Sequence, residues 1–189
     1  MHSEVIVVSG LPRSGTSMMM KMLEAGGIEP MTDHQRQPDE DNPGGYYELE
    51  QVKKVEEDPA WLAQADGKAV KVISRLLRDL PAGYRYKVVF MQRNLDEVLV
   101  SQRQMLLRRG RGEDRVRDED MRRIFLDHLG EVGTWLARQD HFHVLHVKYD
   151  EVLADPRGQS QRVNEFLGGV LDAGSMAQVV DQQLYRQRR

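Results

Sequence analysis

The 189-residue chain contains no cysteine, which excludes disulfides and thiolate metal sites and suits a reducing compartment. It has no apolar stretch near the roughly 20 residues that a membrane-spanning helix needs. The first residues, "MHSEVIVVSG", lack a long apolar segment behind basic residues, and Gly10 and Pro12 break the short run that is there, which reads against a secretory leader. Positive charge is not in excess either: 27 Lys and Arg against 30 Asp and Glu leave a net charge of −3. That balance gives no general attraction to nucleic acid or to an anionic membrane. The expectation is a cytoplasmic protein with neither as a partner. Repeats and long linkers are missing as well, so residues 1–189 read as one domain, long enough to bury a core.

The most informative absence is a single lysine. The stretch "VSGLPRSGTSMMMKML" (8–23) nearly has the shape of a nucleotide-binding P-loop, with Gly10 and Gly15 followed by Thr16 and Ser17. Where an ATPase or GTPase carries lysine, directly after the second glycine, this chain has Thr16, and the nearest cation is Arg13 inside the loop. A strand, a glycine-rich turn and a helix start still make an anion site, because backbone N–H groups point inward and the helix dipole favours negative charge. Without the lysine, cleavage of a β–γ phosphate bond loses its usual charge stabiliser. Met18, Met19, Met22 and Leu23 recur on one helical face and read as core.

Apolar, β-branched runs predict strands at 4–9, 86–92 and 142–149, with a weaker one at 69–73. Helical patterns lie between and after them, at 15–26, 47–57, 95–109, 118–139 and 159–168. Short apolar strands alternating with helices predict an α/β fold of three layers, with a central, mostly parallel sheet of four to five strands. The segment 27–46, rich in Gly, Pro, Asp and Asn, reads as a long loop bordering the site, and 110–120 as a charged loop. In "RNLDEVLVS", Arg93 stands at a strand's carboxyl end and Ser101 two turns into the next helix. Both can converge on one anion, while Asp96 caps or charges that helix's start.

"GLPRSGTS" resembles the 5′-phosphosulfate loop of sulfotransferases that use 3′-phosphoadenosine 5′-phosphosulfate (PAPS), in the "PRSGT" form of tyrosylprotein and many bacterial members. The eight-residue spacing of Arg93 and Ser101 is similar to the family's 3′-phosphate motif. "VKYDEVLADP" followed by "NEFLGG" is similar to its strand, Tyr and Pro segment. The resemblance implies a P-loop-like fold, PAPS as sulfonyl donor, its product 3′,5′-bisphosphate (PAP), and no metal. It implies cofactor binding by Gly10, Arg13, Ser14, Gly15, Thr16, Ser17, Arg93, Ser101 and Tyr149, with Arg13 also acting on the leaving group. The C-terminal "LYRQRR" departs from the Arg-Lys-Gly element of larger animal members. The segment "VKVISRLL" (70–77) keeps Lys71 but lacks the histidine base of many cytosolic members.

A general base must therefore come from elsewhere, and the long loop and its exit offer Asp33, His34, Glu40, Asp41, Glu48 and Glu50. "NPGGYYE" resembles the "NPxGYxE" segment of bacterial members, which puts Glu48 first and Asp41 second, with Tyr46 and Tyr47 shaping an acceptor pocket. The competing reading of Glu48 is a dipole-favoured residue opening a helix. The acceptor's hydroxyl or amine, whether on a small molecule, a glycan or a peptide, is left open. So is a pocket shared with a second subunit in a homodimer. "HFHVLH" (141–146) points its histidines to both faces of a strand and is a poor metal site. Two other functions compete with sulfonyl transfer. One is a regulatory protein that binds PAP or another nucleotide without turnover. The other is a P-loop nucleotide kinase, which would need the missing lysine and an acid for Mg²⁺, for which Asp150 is the rough candidate.

Overall fold

The computed structural model describes residues 4–33, 35, 39, 45–108, 110 and 116–180. Five strands form one sheet in the order β2-β3-β1-β4-β5, and every pairing between them is parallel. They are β1 (Glu4–Gly10), β2 (Pro30–Met31), β3 (Ala69–Lys71), β4 (Arg85–Gln92) and β5 (Phe142–Lys148). The helices are α1 (Thr16–Ala25), α2 (Leu95–Arg108), α3 (Asp118–Leu136), α4 (Tyr149–Ala154), α5 (Pro156–Leu167) and α6 (Ala173–Gln178).

Alternation along the strands builds two cores. Val5, Val7, Val70, Val72, Val88 and Phe90 face one side, against Trp61, Leu62, Leu77 and the α3 residues Val132 and Leu136. Ile6, Val8, Val89, Met91 and Val147 face the other, against Met19, Met22 and Leu23 of α1 and Val163 of α5. A sheet covered on both faces needs apolar residues at successive positions, which is why β1 and β4 read as continuous runs. Each side chain so buried contributes about 1.5–3 kcal/mol. Met20 joins Met19 and Met22 in full burial, while Met18 is only partly covered.

Strand order fixes where a ligand can sit. From β1 the chain turns through α1 towards β2 and β3, whereas from β4 it leaves through α2 and α3 towards β5 on the other side. The adjacent carboxyl ends of β1 and β4, where Gly10 is paired with Met91, are thus the switch point at which such sheets open a crevice.

Several boundaries differ from the sequence expectations. The helix expected over 47–57 is a short 3-10 turn, Glu50–Lys54. Val52 and Val55, both buried, are three residues apart, a spacing that suits three residues per turn. The strand expected to reach 149 ends at Lys148, and Tyr149 is the first residue of α4. Helix α5 starts at Pro156 rather than 159, with the Asp155 carboxylate accepting from the Gly158 N–H at 2.9 Å. Strand β2 lies inside the segment read as loop; it is two residues long and begins with proline, which only an edge strand tolerates.

Candidate active site

The turn after β1 is shaped by what it cannot hold. A Cβ on Gly10 would lie 2.5 Å from Ser14 Oγ and 2.6 Å from the Met91 carbonyl oxygen. One on Gly15, whose φ is +100°, would lie 2.4 Å from Cδ2 of Tyr149. Arg13 also takes a left-handed conformation, φ +72°, at a cost of about 1 kcal/mol or more for a residue with a side chain. Helix α1 then begins with no side-chain cap and no acidic residue in its first turn, so its N–H groups and dipole face the turn uncompensated.

Contacts with two distant residues help to hold Arg13 in place. Its Nε donates to Ser101 Oγ at 2.9 Å, and its carbonyl oxygen accepts from Arg93 NH1 at 3.2 Å. Arg93 lies just beyond β4, its guanidinium 4.4 Å above the ring of Tyr149, and its Nε donates to Glu97 Oε2 at 2.9 Å. Tyr149 packs in turn against Gly15. Arg13, Gly15, Arg93, Ser101 and Tyr149, from four separate parts of the chain, therefore form one connected cluster at the switch point. Sequence reading missed Glu97, although its position four residues after Arg93 in a helix was a usable signal. At the start of α2 the cap is Asn94, whose Oδ1 accepts the Asp96 N–H at 2.9 Å, while Asp96 stands in the first turn as an acidic residue favoured by the helix dipole and its carboxylate pairs with Arg122 of α3.

On the β3 side, Lys71 reaches the same turn. Its Nζ donates to the Tyr46 carbonyl oxygen and lies 3.5 Å from Ser17 Oγ, which itself lies 3.4 Å from that carbonyl. Glu48 Oε1 is 3.8 Å from Lys71 Nζ. Glu48 opens no helix: it lies two residues before the 3-10 turn, ahead of the extended Leu49, and its carbonyl accepts from Thr32 Oγ1 at 3.0 Å and the Asp33 N–H at 3.2 Å. Asp33 is committed to the backbone. Burial works to raise its carboxyl, but N–H groups of Glu50 and Gln35 donate to it at 2.7 and 3.0 Å and bring it below the usual range. Glu50 pairs with Lys53. Asp41, His34, Glu40, Gly44 and the arginines at 188 and 189 lie outside the described residues.

The donor set fits an anion. Backbone N–H groups, the hydroxyls of Ser17 and Ser101, two guanidiniums and one ammonium converge on the turn, whose helix Thr16 opens. Ser14 Oγ is 1% exposed as a residue and makes no hydrogen bond among the described residues. A phosphate-bearing ligand would supply the acceptors that this group of donors calls for. Among the described residues there is no cluster of three His, Asp or Glu able to hold a metal, and Asp150 is exposed in the first turn of α4. No described helix is long and apolar enough to cross a membrane.

A fully parallel sheet, flanked by helices and bearing a glycine-rich turn at its switch point, defines an α/β protein of P-loop-like fold. The chain belongs to the sulfotransferase family: the model of the sulfotransferase domain matches residues 3–188. It is accordingly an enzyme of sulfonyl transfer. No match is found among curated proteins. Among solved structures, a sulfotransferase domain from the curacin biosynthetic pathway is 15% identical with a TM-score of 0.57, covering 95% of this chain and 78% of that one. Sulfotransferase STF1 from Mycobacterium tuberculosis H37Rv is 18% identical with a TM-score of 0.60, over 95% of this chain and 71% of that one. Retinol dehydratase, in complex with androsterone and the inactive cofactor PAP, is 17% identical with a TM-score of 0.53, over 93% of this chain and 62% of that one. At these identities the likeness is one of fold.

Proposed function

We propose that this sulfotransferase takes its sulfonyl group from PAPS and passes it to a hydroxyl or amine acceptor. The observation that carries the reading is the convergence of Arg13, Arg93, Ser101 and Tyr149 on the uncapped start of α1. In this reading, the N–H groups from Arg13 to Ser17, with the hydroxyls of Ser14, Thr16 and Ser17, hold the 5′-phosphate side. Arg93, Ser101 and Tyr149 hold the 3′-phosphate. PAPS, when bound, supplies an activated sulfonyl group whose leaving oxygen gains negative charge as it departs.

The chain's own residues then have two tasks. Arg13 neutralises the charge that grows on the leaving oxygen, so its contribution is greatest in the transition state. Glu48 accepts the proton of the acceptor. The support for Glu48 is its place beside Lys71, whose ammonium also reaches Ser17 in the turn, so the carboxylate borders the site. Asp41 is the second candidate by sequence. A cytoplasmic setting belongs to the same reading and is supported by the cysteine-free composition.

Isothermal titration tests the donor. PAP is expected to bind tightly without Mg²⁺, AMP more weakly, and ATP weakly. Equal affinity for AMP and PAP would remove the 3′-phosphate site, and Mg²⁺-dependent ATP turnover would refute PAPS as the donor.

A further inference from the structure

The cationic cluster contains a buried carboxylate. Glu97 Oε2 stands 2.9 Å from Arg93 Nε, and each of the two side chains is 9% exposed. The same guanidinium donates to the carbonyl of Arg13 and covers the ring of Tyr149, so the pair lies inside the site rather than on the outer face of α2. A buried negative charge adds nothing to affinity for an anion. A phosphate approaching Arg93 meets a cation already shared with a carboxylate, and it meets the carboxylate itself about one guanidinium width away.

Glu97 therefore acts in two opposed ways. It aligns the fork by accepting from Nε, and it competes with an incoming anion for the fork's charge. We propose that Glu97 is a positioning residue that moderates the grip of Arg93 on a nucleotide 3′-phosphate, so that PAP leaves after each transfer; this rests on the PAPS reading above. Without the carboxylate, two guanidiniums, an ammonium, three hydroxyls and a helix start would bear on a doubly phosphorylated product, and product release sets the turnover of many enzymes.

Substitution separates the two actions. Glu97→Gln keeps an oxygen to accept from Nε and removes the charge, its second oxygen becoming an NH2 donor. The expected result is PAP binding tightened roughly tenfold, with slower dissociation in stopped flow, because a like charge beside the ligand has been taken away. AMP, which lacks the 3′-phosphate, should change by no more than about twofold. Glu97→Asp provides a second variant that keeps the charge and withdraws it by about one bond length, ~1.5 Å. It should tighten PAP in the same direction by a smaller factor, about two- to threefold.

A purely structural role for Glu97 would weaken PAP in both variants, and that result, or no change in PAP affinity with the fold intact, overturns the proposal. Titration of the unaltered chain comes first and isolates the underlying reading. If that chain binds AMP and PAP equally, the 3′-phosphate site itself is refuted and the role of Glu97 falls with it. If it prefers PAP and the variants do not tighten it, only the role of Glu97 is refuted.

Discussion

Replacing Arg93 by alanine removes the donation to Glu97, the donation to the Arg13 carbonyl and the cover over Tyr149. Two effects follow, and they can be measured apart. Hydrogen bonds to a charged partner are worth about 1.5–3 kcal/mol, so loss of one to a 3′-phosphate should weaken PAP by about tenfold to a hundredfold. AMP should lose far less. The second effect is on the fold, because the buried carboxylate of Glu97 loses the cation that balances it. Breaking a buried pair from one side costs about 3 kcal/mol or more. For a chain of this size each kcal/mol shifts the melting temperature by about 2–4 °C, so Arg93→Ala should melt at least ~6–12 °C below the unaltered protein. The double variant Arg93→Ala/Glu97→Gln removes the unbalanced charge and should recover much of that stability while leaving PAP weak. Differential scanning fluorimetry and isothermal titration on the three proteins decide the matter. If the double variant regains PAP affinity along with stability, Arg93 serves the fold and not the ligand.

The other expectations concern the reaction and its pH range. Arg13→Ala should reduce turnover more than PAP affinity, since the N–H groups of the turn persist; intact turnover with lost affinity would contradict its assigned task. Glu48→Gln should fold, bind PAP normally and lose about a hundred- to ten-thousandfold in rate with a responsive acceptor. Asp41→Asn is the control, and if it alone abolishes turnover the base is Asp41. Stability should fall as pH drops from about 7 towards 5, because His128 and His146 are both held below the ordinary value of 6.5, chiefly by burial and then by Arg78 and Arg162 respectively. The unfolded chain then binds more protons than the folded one below that value, which costs stability. A melting temperature that holds or rises over this range would refute the sign, and His128→Gln should flatten the slope.

The parts of the molecule that were legible in the sequence are those fixed by local pattern. β1 and β4 were readable because strands covered on both faces need nearly continuous apolar runs, and β5, at the sheet edge, because apolar residues recur along it between its histidines. The turn was readable because Gly10 and Gly15 sit where no side chain fits. What was hidden depends on neighbours distant in sequence. The segment around Glu50–Lys54 has the composition of a helix, but Val52 and Val55 face the core at a spacing of three, with Leu49 packed beside them. Lys71 was visible as a residue, yet its hold on the Tyr46 carbonyl depends on the path of a loop that carries no periodic signal. Glu97 lay in plain helical register with Arg93, but its burial follows from α2 returning over the ends of the strands.

The clasp on Arg13 bears on when the site comes into being during folding. Two of its fasteners, Arg93 and Ser101, are 80 and 88 residues further along the chain. The left-handed conformation of Arg13 is unfavourable by itself, so the turn has no reason to hold its shape until β1 and β4 have paired and α2 has docked. Closing a loop of that length costs entropy before any contact returns it, which places the site among the late, non-local events. A fragment ending before β4 would carry the whole glycine-rich turn and still lack the cradle. Grafting residues 8–17 onto another strand-to-helix junction would transfer a sequence but not a binding site. Ligand affinity in this protein is therefore also a report on long-range assembly, lost as soon as β4 and α2 separate from the rest.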